Sequence, residues 1–229
     1  MSNQEKGEGA VTHVIEVKHL TKCFGEQIIF ADVSLKFESG KIYGLVGRNG
    51  SGKTVFLKCI CGFMEAENGV ILQDGRQLKR DMEYLENMGF LIERPGFLEN
   101  LSAYENLKYI ASIRRLVGKE QIEECLKQVR LDPKDKKRVG KYSMGMKQRL
   151  GVAQAIMENP DILILDEPMN GMDDAGVEFM RTLLLRLKQE GKLIFIASHY
   201  QEDIRLLCDR VYRFFNGTVQ EQDGTHAIP

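Results

Sequence analysis

Residues 44–54 read GLVGRNGSGKT. The apolar run KIYGLV (41–46) leads into this stretch, and a helical pattern, TVFLKCICGF (54–63), leaves it. Gly47, Gly50 and Gly52 let the backbone turn so that successive amides face inward. Amides at a helix N-terminus, helped by the helix dipole, suit phosphate oxygens. Lys53 adds a point charge for β- and γ-phosphates, and the Thr54 hydroxyl can ligate Mg²⁺. Arg48, Asn49 and Ser51 complete the candidate nucleotide-binding loop. With glycine near 7% of residues, such a pattern arises by chance in on the order of one chain in a hundred. Here it also lies between a strand and a helix, as a phosphate loop requires. The competing reading is a glycine-rich turn with no ligand.

Outward from the loop, short runs rich in β-branched and aromatic residues predict strands at 14–17, 33–37, 41–46, 69–73, 89–92, 161–165, 193–197 and 210–215. Several are continuously apolar, the mark of strands covered on both faces in a parallel sheet. A helix predicted over 173–190 separates two of them, giving a strand–helix–strand unit. The stretch from about 94 to 158 reads differently, as three helices without a strand. Ser102 and Glu105 form a capping box for a helix through Leu116. KEQIEECLKQV (119–129) is amphipathic, and Ser143 caps a third helix to about Glu158. The expected organisation is a flexible tail over 1–12, then one α/β domain with core segments 13–93 and 159–229 and an all-helical insertion at about 94–158.

Three carboxylates and a histidine end predicted strands. DILILDEP (161–168) places Asp166 and Glu167 side by side, and alternation along a strand lets them do different work. Asp166 is assigned to Mg²⁺ and Glu167 to orienting or deprotonating a water. His199 ends KLIFIASH (192–199), where it can sense a γ-phosphate. GFLIERPGF (89–97) ends its apolar run at Glu93, whose charge costs solvation energy unless something positive meets it. Solvent with Arg94 alongside is one answer for Glu93, and Mg²⁺ is the other. Without ligands, the bland reading of all four is solvated or structural residues at strand ends.

Composition bounds the partners. The chain has 229 residues, 43% hydrophobic and 28% charged, with a formal net charge of −1. No global field favours nucleic acid or anionic membrane. No apolar stretch approaches the roughly 18–20 residues of a membrane span, and MSNQEKGEGA is too polar for a secretory signal. The five cysteines show no zinc or disulfide pattern and read as reduced packing residues. The basic run DPKDKKRVGK (132–141) reads first as a solvated loop, and second as a contact for a partner or lipid headgroups.

Together these motifs resemble the nucleotide-binding subunit of an ATP-binding-cassette (ABC) transporter, over about residues 14–220. YSMGMKQRL (142–150) stands where that family carries its signature, usually Leu-Ser-Gly-Gly-Gln. Tyr142, Met144 and Met146 depart from it, while Ser143 and Gly145 remain. The resemblance implies the ABC ATPase fold: a P-loop core with a mostly parallel sheet, an antiparallel β subdomain and an inserted helical subdomain. It implies ATP and Mg²⁺ as ligands, and a head-to-tail pair of ATPase subunits in which Ser143 and Gly145 address the other subunit's ATP. It implies Phe24 as the ring stacked on adenine, against the plain reading of a core phenylalanine, and Asp173 as the acid of the loop crossing the dimer. A transmembrane permease is the implied partner, holding the chain on the inner face of the cell membrane. At Glu93 the family usually has a glutamine that touches Mg²⁺ and couples the helical subdomain to the permease. A glutamate there, with RPGF, YENL and YSMGMKQRLG, resembles the bacitracin-resistance and lantibiotic-immunity exporters.

Two other classes compete with an exporter subunit. A soluble ABC-type ATPase acting on nucleic acid or ribosomes would bring coiled coils, tandem cassettes or a basic field, and none is present. A P-loop kinase or GTPase would not need the signature helix, and no Asn-Lys-x-Asp motif for guanine occurs.

Overall fold

The computed structural model describes residues 12–93 and 95–222. The tail expected over 1–12 therefore lies, except for Thr12, outside the described residues, as does Arg94. The chain begins with a long antiparallel hairpin, β1 (Val14–Phe24) and β2 (Gln27–Glu38). Both strands run well past the apolar runs that announce them. Then come β3 (Ile42–Val46), α1 (Lys53–Cys61), β4 (Asn68–Gln73), the two-residue β5 (Arg76–Gln77) and β6 (Met88–Leu91). Helices α2 (Ala103–Arg114), α3 (Lys119–Gln128) and α4 (Met144–Ile156) follow, with a 3₁₀ turn at Val139–Lys141. The chain closes with β7 (Ile162–Asp166), α5 (Asp174–Gln189), β8 (Leu193–Ala197), α6 (Gln201–Leu207), β9 (Arg210–Phe215) and β10 (Thr218–Gln222).

Two sheets result. β2-β1-β4-β5 is antiparallel. The six-stranded sheet runs β10-β9-β3-β8-β7-β6, parallel except for the β9–β10 hairpin. Every residue of β3, β7 and β8 is buried, which is why those segments read as unbroken apolar runs. Their alternate residues feed two cores. Tyr43, Ile164 and Phe195 join Phe30, Phe37 and Phe56, packing the antiparallel sheet and α1 onto one face. Ile42, Leu165 and Ile196 face α2 to α5 on the other. Phe37 meets Phe195 and Tyr43 edge-on, with ring centroids 4.7 and 4.9 Å apart.

The helical caps follow the sequence closely. Ser102 accepts from the Glu105 amide while the Glu105 carboxylate accepts from the Ser102 amide, the reciprocal capping box. The helix ends two residues sooner than Leu116, because Arg115 turns left-handed at φ 57°. The third helix likewise stops at Ile156 rather than Glu158. α4 lies against β6 so closely that a Cβ on Gly89 would sit 1.8 Å from the Ala155 carbonyl oxygen. The short α6 carries too few apolar residues to announce itself, and the buried Asp203 ties it to Arg181 of α5 at 2.6 Å.

All five cysteines are free thiols. Burial pushes Cys59, Cys125 and Cys208 up to about 12, and raises Cys61 as well. Among the described residues, no helix is long and apolar enough to cross a membrane.

Candidate nucleotide site

The parallel strands β3, β7 and β8 deliver their carboxyl ends to one edge, which carries the glycine loop, Asp166, Glu167 and His199. After β3 the loop needs its glycines for different reasons. Gly47 has φ 152°, and a Cβ there would lie 2.6 Å from the Phe214 carbonyl oxygen. Gly52 has φ 105° and serves as the left-handed N-cap of α1, with no side chain capping the helix. A Cβ on Gly52 would strike Ile29 of β2 at 2.8 Å, so the hairpin packs directly on the loop. Phe24 ends β1 just before that hairpin's turn, 48% exposed, with Lys22 Nζ 5.1 Å from its ring centroid. Arg48, Asn49 and Gly50 are exposed. Ser51 Oγ is buried without a hydrogen-bond partner among the described residues, a polar atom a ligand could satisfy.

Lys53 is buried and donates to the carbonyl oxygens of Gly47 at 2.8 Å and Arg48 at 3.2 Å. Burial lowers its pKa, opposed by the charges of Glu167 and Asp166. Next to it, Thr54 Oγ1 donates to Asp166 Oδ2 at 2.6 Å. Burial raises the Asp166 pKa, and the Thr54 hydrogen bond works against that rise. A hydroxyl and a carboxylate in contact make a hard-oxygen pair suited to Mg²⁺. No cluster of three or more His, Cys, Asp or Glu able to hold a metal occurs among the described residues. That is the donor set expected when substrate phosphates supply the remaining ligands.

Glu167, one residue on, turns left-handed at φ 51°, so its side chain leaves the strand alternation. Its amide donates to the Ala197 carbonyl of β8 at 2.8 Å. Its carboxylate lies 2.9 Å from His199 Nδ1, across the gap between β7 and β8. Its carbonyl accepts from the buried Gln148 of α4 at 2.6 Å.

Glu93 stands apart from this group. It also turns left-handed, at φ 61°, and its carboxylate pairs with Lys58 of α1 at 2.5 Å. It remains among the charges felt by Asp166, although the weakest of those named. The positive group it meets among the described residues is Lys58, 35 positions earlier, while much of its side chain stays open to solvent.

The signature and loop residues adjoin one another. Ser143 is exposed and caps α4, accepting from the Met146 amide at 3.2 Å. Gly145 is buried, and a Cβ there would lie 2.8 Å from the Gly171 carbonyl oxygen, so the two backbones pack directly on each other. Asp173 is the N-cap of α5, its carboxylate accepting from the Gly176 amide at 3.1 Å. Sequence reasoning missed Lys58 and Gln148. Lys58 lies on an ordinary helix and Gln148 beyond the signature residues Ser143 and Gly145, and only tertiary packing gives them their partners.

Comparison with known proteins agrees with this geometry. The ABC transporter family model matches residues 30–170. The bacitracin transport ATP-binding protein BcrA of Enterococcus faecalis is 41% identical, over 92% of this chain and 69% of its own. The lantibiotic transport ATP-binding protein SrtF of Streptococcus pyogenes is 35% identical, over 94% of each chain. The solved structure of an ATP-binding subunit of an ABC transporter superposes with a TM-score of 0.80 at 26% identity, covering 91% of this chain and 89% of its own. The chain belongs to the ABC transporter family, among the ATP-binding subunits that hydrolyse ATP.

Proposed function

We propose that this subunit powers a membrane exporter of peptide antibiotics or drug-like molecules, working as one of a head-to-tail pair on a transmembrane permease. The observation that carries the catalytic part is the contact chain Thr54–Asp166 and Glu167–His199 beside the glycine loop. Loop amides from Gly47 to Thr54, with Lys53, hold the ATP phosphates, and Phe24 covers the adenine. Asp166 and Thr54 would hold Mg²⁺, which would offset phosphate charge. Glu167 takes the proton of the attacking water as its oxygen bonds to the γ-phosphorus and the bond to the bridging oxygen breaks. His199 holds the Glu167 carboxylate in place and faces the γ-phosphate. Ser143 and Gly145, with Asp173, serve the partner copy's nucleotide.

Exporter identity is supported by the relatives BcrA and SrtF, ATP-binding proteins of bacitracin and lantibiotic transport. A contact for the permease is supported by three exposed aromatic rings that meet one another, Phe90 among them three residues before Glu93. Phe63 lies 4.8 Å from Phe90 and 5.8 Å from Tyr84, centroid to centroid. All three are more than a third exposed, an unusual outlay of aromatic surface. The chain's peripheral place on the inner membrane face follows from that contact. Membrane fractionation with co-purification tests the reading: an integral membrane protein should come down with the subunit. Recovery in the soluble fraction with RNA or DNA and no membrane protein would favour the nucleic-acid alternative. Deleting the gene should raise sensitivity to bacitracin or a lantibiotic.

A further inference from the structure

We infer that Gln148 is a positioning residue for hydrolysis, holding the backbone of Glu167 so that its carboxylate stays on His199. The inference rests on the catalytic reading of Glu167 given above. Gln148 is a buried polar side chain on α4, five residues after Ser143, and its Nε2 donates to the Glu167 carbonyl at 2.6 Å. Only the amide nitrogen can face a carbonyl oxygen, so the orientation of the Gln148 side chain is fixed. The same carbonyl takes the Asn170 amide at 3.1 Å, while the Glu167 amide is held by Ala197. Glu167 therefore has both peptide groups tied, at a left-handed φ that residues with a Cβ normally avoid.

Of the two ties on the Glu167 carbonyl, the one that comes from outside the turn is Gln148. Without it, the peptide after Glu167 is held by a local turn alone. A relaxed φ would swing the side chain back toward the strand alternation and off His199. The link also has a direction. α4 begins at the residue proposed to touch the partner's nucleotide, and Gly145 of the same helix packs on Gly171 in the loop that follows Glu167. Movement of α4 therefore reaches the water-activating carboxylate through one hydrogen bond and one backbone contact.

Gln148→Met keeps the volume and removes only the donor. ATP affinity, read with a fluorescent nucleotide, should stay within about twofold, while kcat falls roughly tenfold. In a Glu167→Gln background the same change should leave the residual rate unaltered, because the group being positioned is already disabled. Gln148→Asn retracts the amide by one methylene and serves the same comparison if the methionine variant does not fold. A wild-type kcat in the folded variant overturns the inference. So does an equal loss of rate with and without the Glu167 carboxylate, which would mark Gln148 as merely structural. Should Glu167→Gln itself turn over at the wild-type rate, it is the catalytic reading of Glu167 that fails.

Discussion

Glu167 Oε2 and His199 Nδ1 lie 2.9 Å apart, joining residues 32 positions apart at the ends of two adjacent parallel strands. Nδ1–H donates to the carboxylate and leaves the other ring nitrogen uninvolved in that contact. The contact holds the carboxylate in one orientation.

Glu167→Gln can keep that contact, because the amide oxygen still accepts from His199. It loses the basicity. Turnover should fall about 10²- to 10⁴-fold with ATP binding retained, and the variant should accumulate as a nucleotide-bound dimer. Size-exclusion chromatography with ATP, beside a phosphate-release assay, reads both. A wild-type rate would remove Glu167 from its assigned role.

The Glu93–Lys58 pair makes a different prediction. Glu93 is well exposed, so the pair adds at most about 1 kcal/mol of stability. Glu93→Gln should leave the melting temperature nearly unchanged. To reach a metal, the carboxylate has to give up Lys58, so Glu93→Gln and Lys58→Met should shift the Mg²⁺ titration of hydrolysis in opposite directions. Superimposable Mg²⁺ curves for all three proteins would return Glu93 to a surface ion pair.

His13 links the two sheets through Asp74, 2.7 Å from Nδ1, and Asp161, 3.1 Å from Nε2. Burial pulls its pKa down, but the hydrogen bonds to Asp74 and Asp161 more than compensate and raise it above 6.5. Its stabilising contribution is complete below 6.5, the unfolded value, and is lost as pH rises through the higher folded value. Wild type should melt above His13→Gln at pH 6, and the gap should close toward pH 9. A gap independent of pH would show that the charged form contributes nothing.

Gly89→Ala should be the costliest single methyl in the sheet. The added carbon would lie 1.8 Å from the Ala155 carbonyl oxygen, so α4 has to move off β6. A loss of about 3 kcal/mol is expected in urea unfolding. An unchanged midpoint would mean that the helix can slide freely.

How much of this could be read from the chain depends on how local the physics is. The buried strands β3, β7 and β8, the Ser102–Glu105 box and the cap Ser143 were legible because each is written within a few adjacent residues. The glycine loop was legible for the same reason. The full length of β1 and β2 was not, since β1 carries Lys18, His19 and Lys22 beyond its apolar start and the register between the two strands shifts at bulges. The partner of Glu93 was hidden because Lys58 lies on an ordinary helix and meets it only once β6 and α1 are assembled. Gln148 was hidden by its motif: the same residues that drew attention to Ser143 and Gly145 gave no reason to look further along the helix.

The thiols have a practical consequence. Alkylating reagents attack the thiolate, and burial suppresses that form at Cys59, Cys61, Cys125 and Cys208. Cys23 is the partly exposed cysteine outside that group, and it immediately precedes Phe24. A fluorophore attached at Cys23 would sit next to the ring proposed to cover adenine, and a change in its emission on adding ATP would test that proposal on the unaltered sequence.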